Sequence, residues 1–269
     1  IYLRMGEMVE KFIKDPSDKN KVISLMDKIC EERIQPYIDK SYKELADYVN
    51  AYEQKMQMKR EGLSDKGIWT AKKRYILNVY NNEGVQYAKP KMKVMGLEMI
   101  KSSTPSSIRE KMKEVIELLM NSNENDVQKF IEDFRKHFKE LPPEEISFPR
   151  GCNDLASYSD SGTIYKKATP IHVRGALLYN HHLKLHDLTM NQQAIRDGDK
   201  IKFAYLKTPN KLGETVIATA DYLPREFGLD GLVDRDKQFE KSFLEPMKSI
   251  TEVIDWRVEK TATLEDFFA

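Results

Sequence analysis

Basic side chains between Lys55 and Lys113 are the most distinctive chemical feature of the sequence. This stretch holds 14 Lys and Arg residues against five Asp and Glu residues, although the whole chain has a formal net charge of only +1. A locally positive surface on an otherwise acidic protein is typical of contact with a polyanion such as a nucleic acid backbone. The charge distribution therefore indicates one phosphate-facing surface.

The cations at the centre of this stretch stand directly before an aromatic residue. Lys72, Lys73, Arg74 and Tyr75 follow one another and are predicted to enter a β-strand. Since neighbouring side chains of a strand point to opposite faces, Lys73 and Tyr75 would share one face, and the other two would share the opposite face. One edge of the strand would then present a cation and an aromatic ring together.

A second set of cations has the spacing of a strand face. Lys89, Lys91 and Lys93 recur at every second position, so a returning strand would align three ammonium groups with successive phosphates. A hairpin with a merely solvated charged face is the alternative. The nearly uniform positive sign argues against it, because solubility alone does not require one sign.

Motifs of self-contained catalysis are missing from the sequence. It contains no Walker A, dinucleotide-binding, H-E-x-x-H or G-x-S-x-G motif. Cys30 and Cys152 form no C-x-x-C pair and favour a reducing compartment. His182 and His186, with His181 beside them, have a metal-binding spacing, but helical histidines are more often packed or solvated. No metal site is predicted within the chain.

Length and composition place the chain among globular proteins of one large domain or two small ones. Apolar residues make up 40% and charged residues 32% of the 269 residues, and no run approaches the ~18 apolar residues of a membrane span. Residues 1–6 begin without Met or a signal pattern and are predicted to form a β-strand entered part-way along. The chain is therefore expected to be truncated at its front.

The basic residues are predicted to lie on a β-hairpin that follows a long helix. Apolar residues keep a helical period from near Asp18 to Met56, with Pro36 placed to kink or divide the helix. A loop is expected at 62–67. After it, the alternating pattern from Lys73 to Tyr80 and the turn residues Asn-Asn-Glu-Gly lead into a return strand.

The remainder is predicted to be mostly helical with a small β portion. Thr104 and Pro105 have the form of an N-cap followed by a first helical residue. A second helix is expected to follow the run from Asn123 to Asp126 and to end at Pro142 and Pro143. Further helices are expected at 175–185 and 237–247. Short strands are expected at 201–206 and 216–218. The fold class predicted is therefore α+β.

Three runs of residues resemble the family B replicative DNA polymerases of T-even-like bacteriophages. They are KGIWTAKKRYILNVY from Lys66, KVMGLE from Lys93 and KSSTP from Lys101, in the order of the end of the palm and the start of the thumb. Residues 1–2, 171–175 with 179–180, and the C-terminal peptide are also similar. The resemblance implies a palm portion at 1–97, a thumb at 98–260 and a clamp-binding tail at 261–269.

The resemblance also implies roles for individual residues. Lys73 and Lys101 would reach the minor groove of the primer–template, and Tyr75 would lie by the primer terminus. Glu61 would be a supporting palm carboxylate near the catalytic metals, whereas Lys59 stands where the family has Asp. The complete set of implied DNA-binding residues is Lys72, Lys73, Arg74, Tyr75, Lys93, Lys101 and Arg174. The implied clamp-binding residues are Leu264, Phe267 and Phe268.

The resemblance further implies that the chain is part of a larger or split enzyme and is inactive alone. The family's metal-binding aspartates, which hold Mg²⁺, are not in these residues. They would come from an N-terminal portion with the exonuclease, the fingers and the remaining palm. Primer–template DNA and a sliding clamp are the other expected partners, in the cytoplasm of an infected bacterial host, with no membrane.

Two other functions remain open from the residues themselves. One is a non-enzymatic module that binds single-stranded nucleic acid, with Trp69, Tyr75 and Tyr80 stacking on bases. The other is a structural protein whose basic hairpin is only a solvated face. The polymerase portion would prefer a recessed 3′ end on duplex DNA, and the non-enzymatic module would prefer single strands. The structural protein would show no salt-dependent binding of DNA.

Overall fold

The computed structural model describes residues 2–13 and 17–260 of the chain. These fall into two compact units. Unit 1 comprises Ile1–Ile68 and Tyr75–Val94, and unit 2 comprises Trp69–Arg74 and Met95–Ala269. Helices and strands both occur, which confirms the mixed composition predicted from the sequence.

Unit 1 begins with three α-helices: α1 (Gly6–Phe12), α2 (Lys19–Ile29) and α3 (Gln35–Tyr48). The predicted start near Asp18 is confirmed, because its carboxylate accepts a hydrogen bond from the Lys21 amide at 3.2 Å and caps α2. A π-helical turn (Cys30–Ile34) joins α2 directly to α3, and Pro36 follows in the first turn of α3. The wider turn lies where Pro36 has no N–H to continue the regular hydrogen-bond pattern. The irregularity predicted at Pro36 is therefore a π-helical turn within one continuous helical run, not a division of the helix.

Two predictions for unit 1 are wrong. The strand expected at 1–6 is not observed: residues 2–5 have no regular structure, and Gly6 begins α1. A strand requires a neighbour for its backbone hydrogen bonds. The helix does not continue to Met56. It ends at Tyr48, and Asn50 follows with a left-handed backbone at φ 50°.

The basic segment forms a three-stranded sheet. Its strands β1 (Gly62–Ala71), β2 (Arg74–Asn82) and β3 (Val85–Met95) lie in the order β1-β2-β3. The expected loop at 62–67 is therefore part of a strand. The polar residues at 62–67 are compatible with the position of β1 at the edge of the sheet, because polar and charged side chains are common on edge strands. The return strand is confirmed, and the turn before it has positive φ at both Glu83 and Gly84, as type I′ turns require.

Unit 2 is mainly helical. The helix at Asn123 is confirmed, because its side chain accepts a hydrogen bond from the Asp126 amide at 3.1 Å. Thr104 is not an N-cap: Pro105 takes that position, and the helix starts one residue later. Its helices are α4 (Ser106–Asn121), α5 (Glu124–Phe138), α6 (Pro143–Ile146), α7 (Leu155–Tyr158), α8 (Ile171–Leu185), α9 (Arg235–Phe239) and α10 (Glu245–Thr251).

The strands of unit 2 form two small antiparallel sheets. The strands β4 (Phe148–Gly151), β7 (Lys200–Tyr205) and β8 (Val216–Thr219) form one, in the order β4-β7-β8, and β5 (Ser159–Asp160) and β6 (Ile164–Tyr165) form the other. The strands predicted near 201–206 and 216–218 are confirmed. The sequence did not indicate β4, since it contains Pro and Gly, which are tolerated at a sheet edge.

The core of unit 2 contains a cluster of four phenylalanines. The ring of Phe134 lies 4.9 Å from that of Phe243 and 5.9 Å from that of Phe138, and Phe239 lies 5.2 Å from Phe138. Such offset and edge contacts add to the free energy of burying the rings. No helix in the described part of the chain is long and apolar enough to cross a membrane.

Candidate nucleic-acid interface

Lys72 and Lys73 lie in the two-residue turn between β1 and β2, not in a strand. The prediction of alternating faces is therefore wrong for both residues. The chain must reverse here, and Lys73 adopts a left-handed backbone at φ 63°. Both side chains are exposed, and among residues 2–13 and 17–260 no ion pair is seen for either. The turn therefore presents two uncompensated ammonium groups to solvent.

Gly96 holds the backbone of this turn in place. A Cβ atom built on Gly96 would lie 2.4 Å from the carbonyl oxygen of Lys73, and Gly96 itself has φ 68°. Only glycine accommodates both the close approach and the left-handed backbone. The segment after β3 therefore packs directly against the main chain of the lysine turn.

Glu98 binds two cations of unit 2. Arg74 donates from Nη2 to both carboxylate oxygens, at 3.1 and 2.9 Å, and Lys101 donates from Nζ to Oε1 at 2.8 Å. Burial alone would raise the pKa of Glu98. The Lys101 hydrogen bond, a backbone hydrogen bond and the Arg74 charge outweigh burial and hold that pKa below its usual range. Glu98 is therefore an anion at neutral pH.

The Glu98 cluster keeps part of its positive charge available. It combines one carboxylate with two cations, and the side chains of Arg74 and Lys101 remain 35% and 46% exposed. With Lys72 and Lys73 beside Arg74 in the chain, unit 2 presents four cations against this one carboxylate. An arrangement of this kind can donate hydrogen bonds to phosphate or to base acceptors.

In unit 1, Glu61 pairs with Lys93. The Lys93 Nζ atom lies 2.5 Å from Glu61 Oε1, and this hydrogen bond raises the pKa of Lys93. The Lys91 ammonium lies 4.2 Å from the centre of the Tyr87 ring. The predicted line of cations along β3 is therefore engaged within the protein at two of its three positions.

Tyr75 and Arg60 occupy different surroundings in unit 1. The ring of Tyr75 is half-buried and meets the Tyr2 ring edge-on, with 6.2 Å between the ring centres.

Arg60 forms an ion pair with Asp27 and donates to the Asn81 side chain at 2.9 Å. Arg60 also lines an open cleft of about 820 Å³ in this unit. The sequence did not indicate the pairing of Arg60, because Asp27 is distant in the chain.

Arg174 lies on α8 and has protein partners. Its Nη2 atom donates to Thr215 Oγ1 at 2.7 Å, and its guanidinium carbon lies 5.7 Å from the centre of the Tyr165 ring. These contacts give it a structural role, and its DNA contact stays a prediction. Leu264, Phe267 and Phe268 lie outside the described residues.

Nucleophilic or metal chemistry finds little support in the remaining polar groups. Burial raises the pKa of Cys152 to about 11, so its thiol is protonated at neutral pH. His182 is buried against the Phe227 ring at 5.2 Å, and burial lowers the pKa of its imidazole. No group of three metal-ligating side chains occurs in the part of the chain that the structure describes.

Comparison with known proteins gives DNA polymerases in each case. The family model "DNA polymerase family B" matches residues 24–245. The DNA-directed DNA polymerase of Enterobacteria phage T4 is 33% identical over 281 aligned positions, and that of Escherichia phage RB69 is 32% identical over 285. Both alignments cover the whole chain, which spans 31% of the length of each relative.

Proposed function

The chain belongs to DNA polymerase family B, and we propose that it is the palm and thumb portion of a template-directed DNA polymerase. The observation that carries the proposal is the family match over most of the chain, together with the exposed cations on the Lys72–Lys73 turn. Residues 1–97 would belong to the palm and 98–260 to the thumb. The chain would grip duplex DNA and contribute one side of the polymerase active site.

The cations of unit 2 are the groups proposed to contact DNA. Lys73 would donate from a turn whose backbone is fixed against Gly96, and Lys101 from a side chain whose ammonium is already oriented by Glu98. Minor-groove acceptors occur on all base pairs, so lysine donors there sense pairing geometry without reading sequence. Orientation in advance lowers the entropy lost on binding. This behaviour suits an enzyme that copies any template.

Arg74 is proposed to act mainly through Glu98. Its two hydrogen bonds to the carboxylate would anchor the end of the lysine turn. Lys72, Tyr75, Lys93 and Arg174 complete the proposed DNA-binding set. Among these, Lys93 and Arg174 would have to exchange or share their present partners, so we expect smaller contributions from them.

The residues present do not fit a complete Mg²⁺ site. Two-metal phosphoryl transfer requires carboxylates that bridge both ions, whereas Glu61 pairs with Lys93, and Glu98 pairs with two cations. We propose that the metal-binding aspartates lie in an N-terminal portion with the exonuclease and fingers. Glu61 would then be a supporting carboxylate, and the chain alone would not incorporate nucleotides.

Other partners follow from the same proposal. Residues 261–269 would bind a sliding clamp through Leu264, Phe267 and Phe268, and the complete enzyme would work in the cytoplasm of an infected bacterium. Removing residues 264–269 should leave primer–template binding intact and abolish clamp-dependent processivity of the reconstituted enzyme. Equal processivity with and without the tail would contradict this assignment.

DNA binding is tested by titrating the 269-residue chain with a labelled primer–template at 50–200 mM salt. We expect preference for a recessed 3′ end, and a slope of log K against log salt of about −0.9 for each phosphate contacted. Lys73→Ala and Lys101→Ala should weaken binding. Lys136→Ala, which changes an exposed lysine on α5, is the matched control.

The other outcomes of this titration are informative. Preference for single strands would favour a non-enzymatic nucleic-acid-binding module, and a flat salt response would refute the assignment of the basic surface. Incorporation of nucleotides should appear only after the N-terminal portion is added. Incorporation by the pure chain would show that its own carboxylates complete a metal site.

A further inference from the structure

Helix α3 is largely uncovered in the described part of the chain. Ala46 is its only buried residue, although apolar and aromatic residues occur along the whole helix. Tyr37 and Tyr48 are 72% and 84% exposed. Most helices in proteins owe their stability to packing of an apolar face, so a helix with one buried residue lacks most of that contribution.

Tyr37, Leu45 and Tyr48 share one side of the helix, and Val49 follows at its end. Tyr37 and Tyr48 are eleven positions apart, which is close to three turns, and Leu45 and Val49 lie within one turn of Tyr48. Tyr52 follows the end of the helix and is fully exposed. We refer to this set as the tyrosine face: Tyr37, Leu45, Tyr48, Val49 and Tyr52.

The tyrosine face has little net charge around it. Lys40 pairs with Glu44 at 3.6 Å, and Lys43 pairs with Asp47 at 3.9 Å, so four of the five charged residues of α3 compensate one another. The fifth, Asp39, accepts a hydrogen bond from the Gln35 side chain at 2.9 Å. Exposed aromatic and aliphatic side chains grouped on one side of an element mark an interaction site more often than a solvated surface, and tyrosine is enriched at interfaces between proteins.

We propose that the tyrosine face binds the part of the polymerase that this chain lacks relative to its longer relatives. The inference rests on the proposed function. The chain spans only 31% of the length of the T4 and RB69 enzymes, so more than two thirds of each relative has no counterpart here. Unit 1 also exposes Tyr2, Leu3 and Phe12, which shows that its uncovered apolar surface is not confined to α3.

The chemistry of the face sets the nature of the partner surface. Because the charges of α3 other than Asp39 are paired within the helix, the partner is expected to offer apolar and aromatic side chains and not a charged patch. Association should therefore depend weakly on salt, since burial of apolar surface is not screened by ions. DNA binding by the basic surface has the opposite salt dependence, so the two activities can be separated in one preparation.

The test measures association between the 269-residue chain and the polymerase portion encoded before it in its own genome, purified as a separate chain. Calorimetric titration at 0.1 and 1 M NaCl should give similar affinities. The double variant Tyr37→Ala, Tyr48→Ala should bind at least tenfold more weakly. Met190→Ala, which removes a 93% exposed side chain from unit 2, should bind like the wild type.

Each alternative result has a distinct meaning. Equal affinity of the double variant and the wild type, or no association, would overturn the proposal. Self-association of the wild-type chain that the double variant loses would identify a second copy as the occupant and also overturn it. If the portions associate through the tyrosine face but the complex fails to bind primer–template, the proposed function fails while the docking surface stands.

Discussion

Unit 1 and unit 2 place similar apolar residues in opposite environments. In unit 2, Phe138, Tyr179 and Phe243 are almost completely buried, whereas in unit 1 Tyr37 and Tyr48 are largely exposed. Both units contain amphipathic helices of comparable length. The difference shows that apolar content alone does not determine burial. Unit 2 supplies its own partner surfaces, and we infer that unit 1 requires surfaces from elsewhere.

The two units also use their carboxylates differently. In unit 2, Glu98 gathers two cations that stay partly exposed, whereas in unit 1 the pair of Arg60 and Asp27 is mostly buried, at 17% and 23% side-chain exposure. The exposed network suits binding, because its cations can still reach a ligand. The buried pair suits structure, because its charges have little access to solvent.

The sharpest test of this comparison is removal of a core aromatic from unit 2. Phe243 is fully buried, and its ring lies 4.9 Å from that of Phe134. Phe243→Ala should lower the free energy of unfolding by about 3–5 kcal/mol, since lost burial and a cavity both contribute. Urea unfolding followed by tryptophan fluorescence reports on unit 2, which contains Trp69 and Trp256. A loss below about 1 kcal/mol would show that this core is loosely packed.

Breaking the buried ion pair of unit 1 should have the next largest effect. Arg60→Ala leaves the Asp27 carboxylate without its donor, whereas Asn81 Oδ1 loses one of two donors and keeps the Gly84 amide at 3.1 Å. We expect the free energy of unfolding of unit 1 to fall by about 1–3 kcal/mol, the cost of an unsatisfied buried polar group. Hydrogen exchange of the amides in β2 measures this change. Unchanged protection would mean that water replaces the guanidinium.

Neutralising Glu98 should have a smaller, pH-dependent effect. Its folded pKa is lowered, so its stabilising contribution is present above the ordinary carboxyl pKa and is lost as the pH falls through the folded value. Glu98→Gln should cost about 1 kcal/mol at pH 7, a small value because the cluster is partly exposed. The difference between variant and wild type in urea unfolding should shrink as the pH falls below the ordinary carboxyl pKa. A constant difference would contradict an ionic role.

The smallest expected effect is on the tyrosine face. Tyr48→Ala should change the stability of the isolated chain by less than about 0.5 kcal/mol, because the side chain has few contacts to lose. Thermal unfolding monitored by circular dichroism measures it. A loss comparable to that of Phe243→Ala would show that α3 is covered within the chain in solution, and the contrast between the two units would disappear.

Local features followed directly from the sequence. Helices start near Asp18 and Asn123 as expected, with both side chains as caps, and the chain turns at Glu83 and Gly84, where turn residues were expected. Each of these features depends on a few neighbouring residues, whose hydrogen bonds and backbone preferences act over one turn. The motif runs from Lys66 to Pro105 also indicated the family, which the comparisons confirmed.

Tertiary structure decided the features that depend on distant residues. Residues 62–67 are polar, yet they form a strand because β2 offers them backbone partners. Lys72 and Lys73 lie outside the expected strand because the chain reverses between β1 and β2 at these two residues.

The sequence by itself determined the family, the concentration of positive charge and the amphipathic character of α3. Only the tertiary structure decided that Glu98 binds both Arg74 and Lys101 and that Tyr37 and Tyr48 stay exposed. The physical reason is that side-chain type sets what a residue can bind, whereas burial and pairing depend on which surfaces of a folded chain meet. A helical pattern predicts an apolar face, but it cannot specify the surface that covers it.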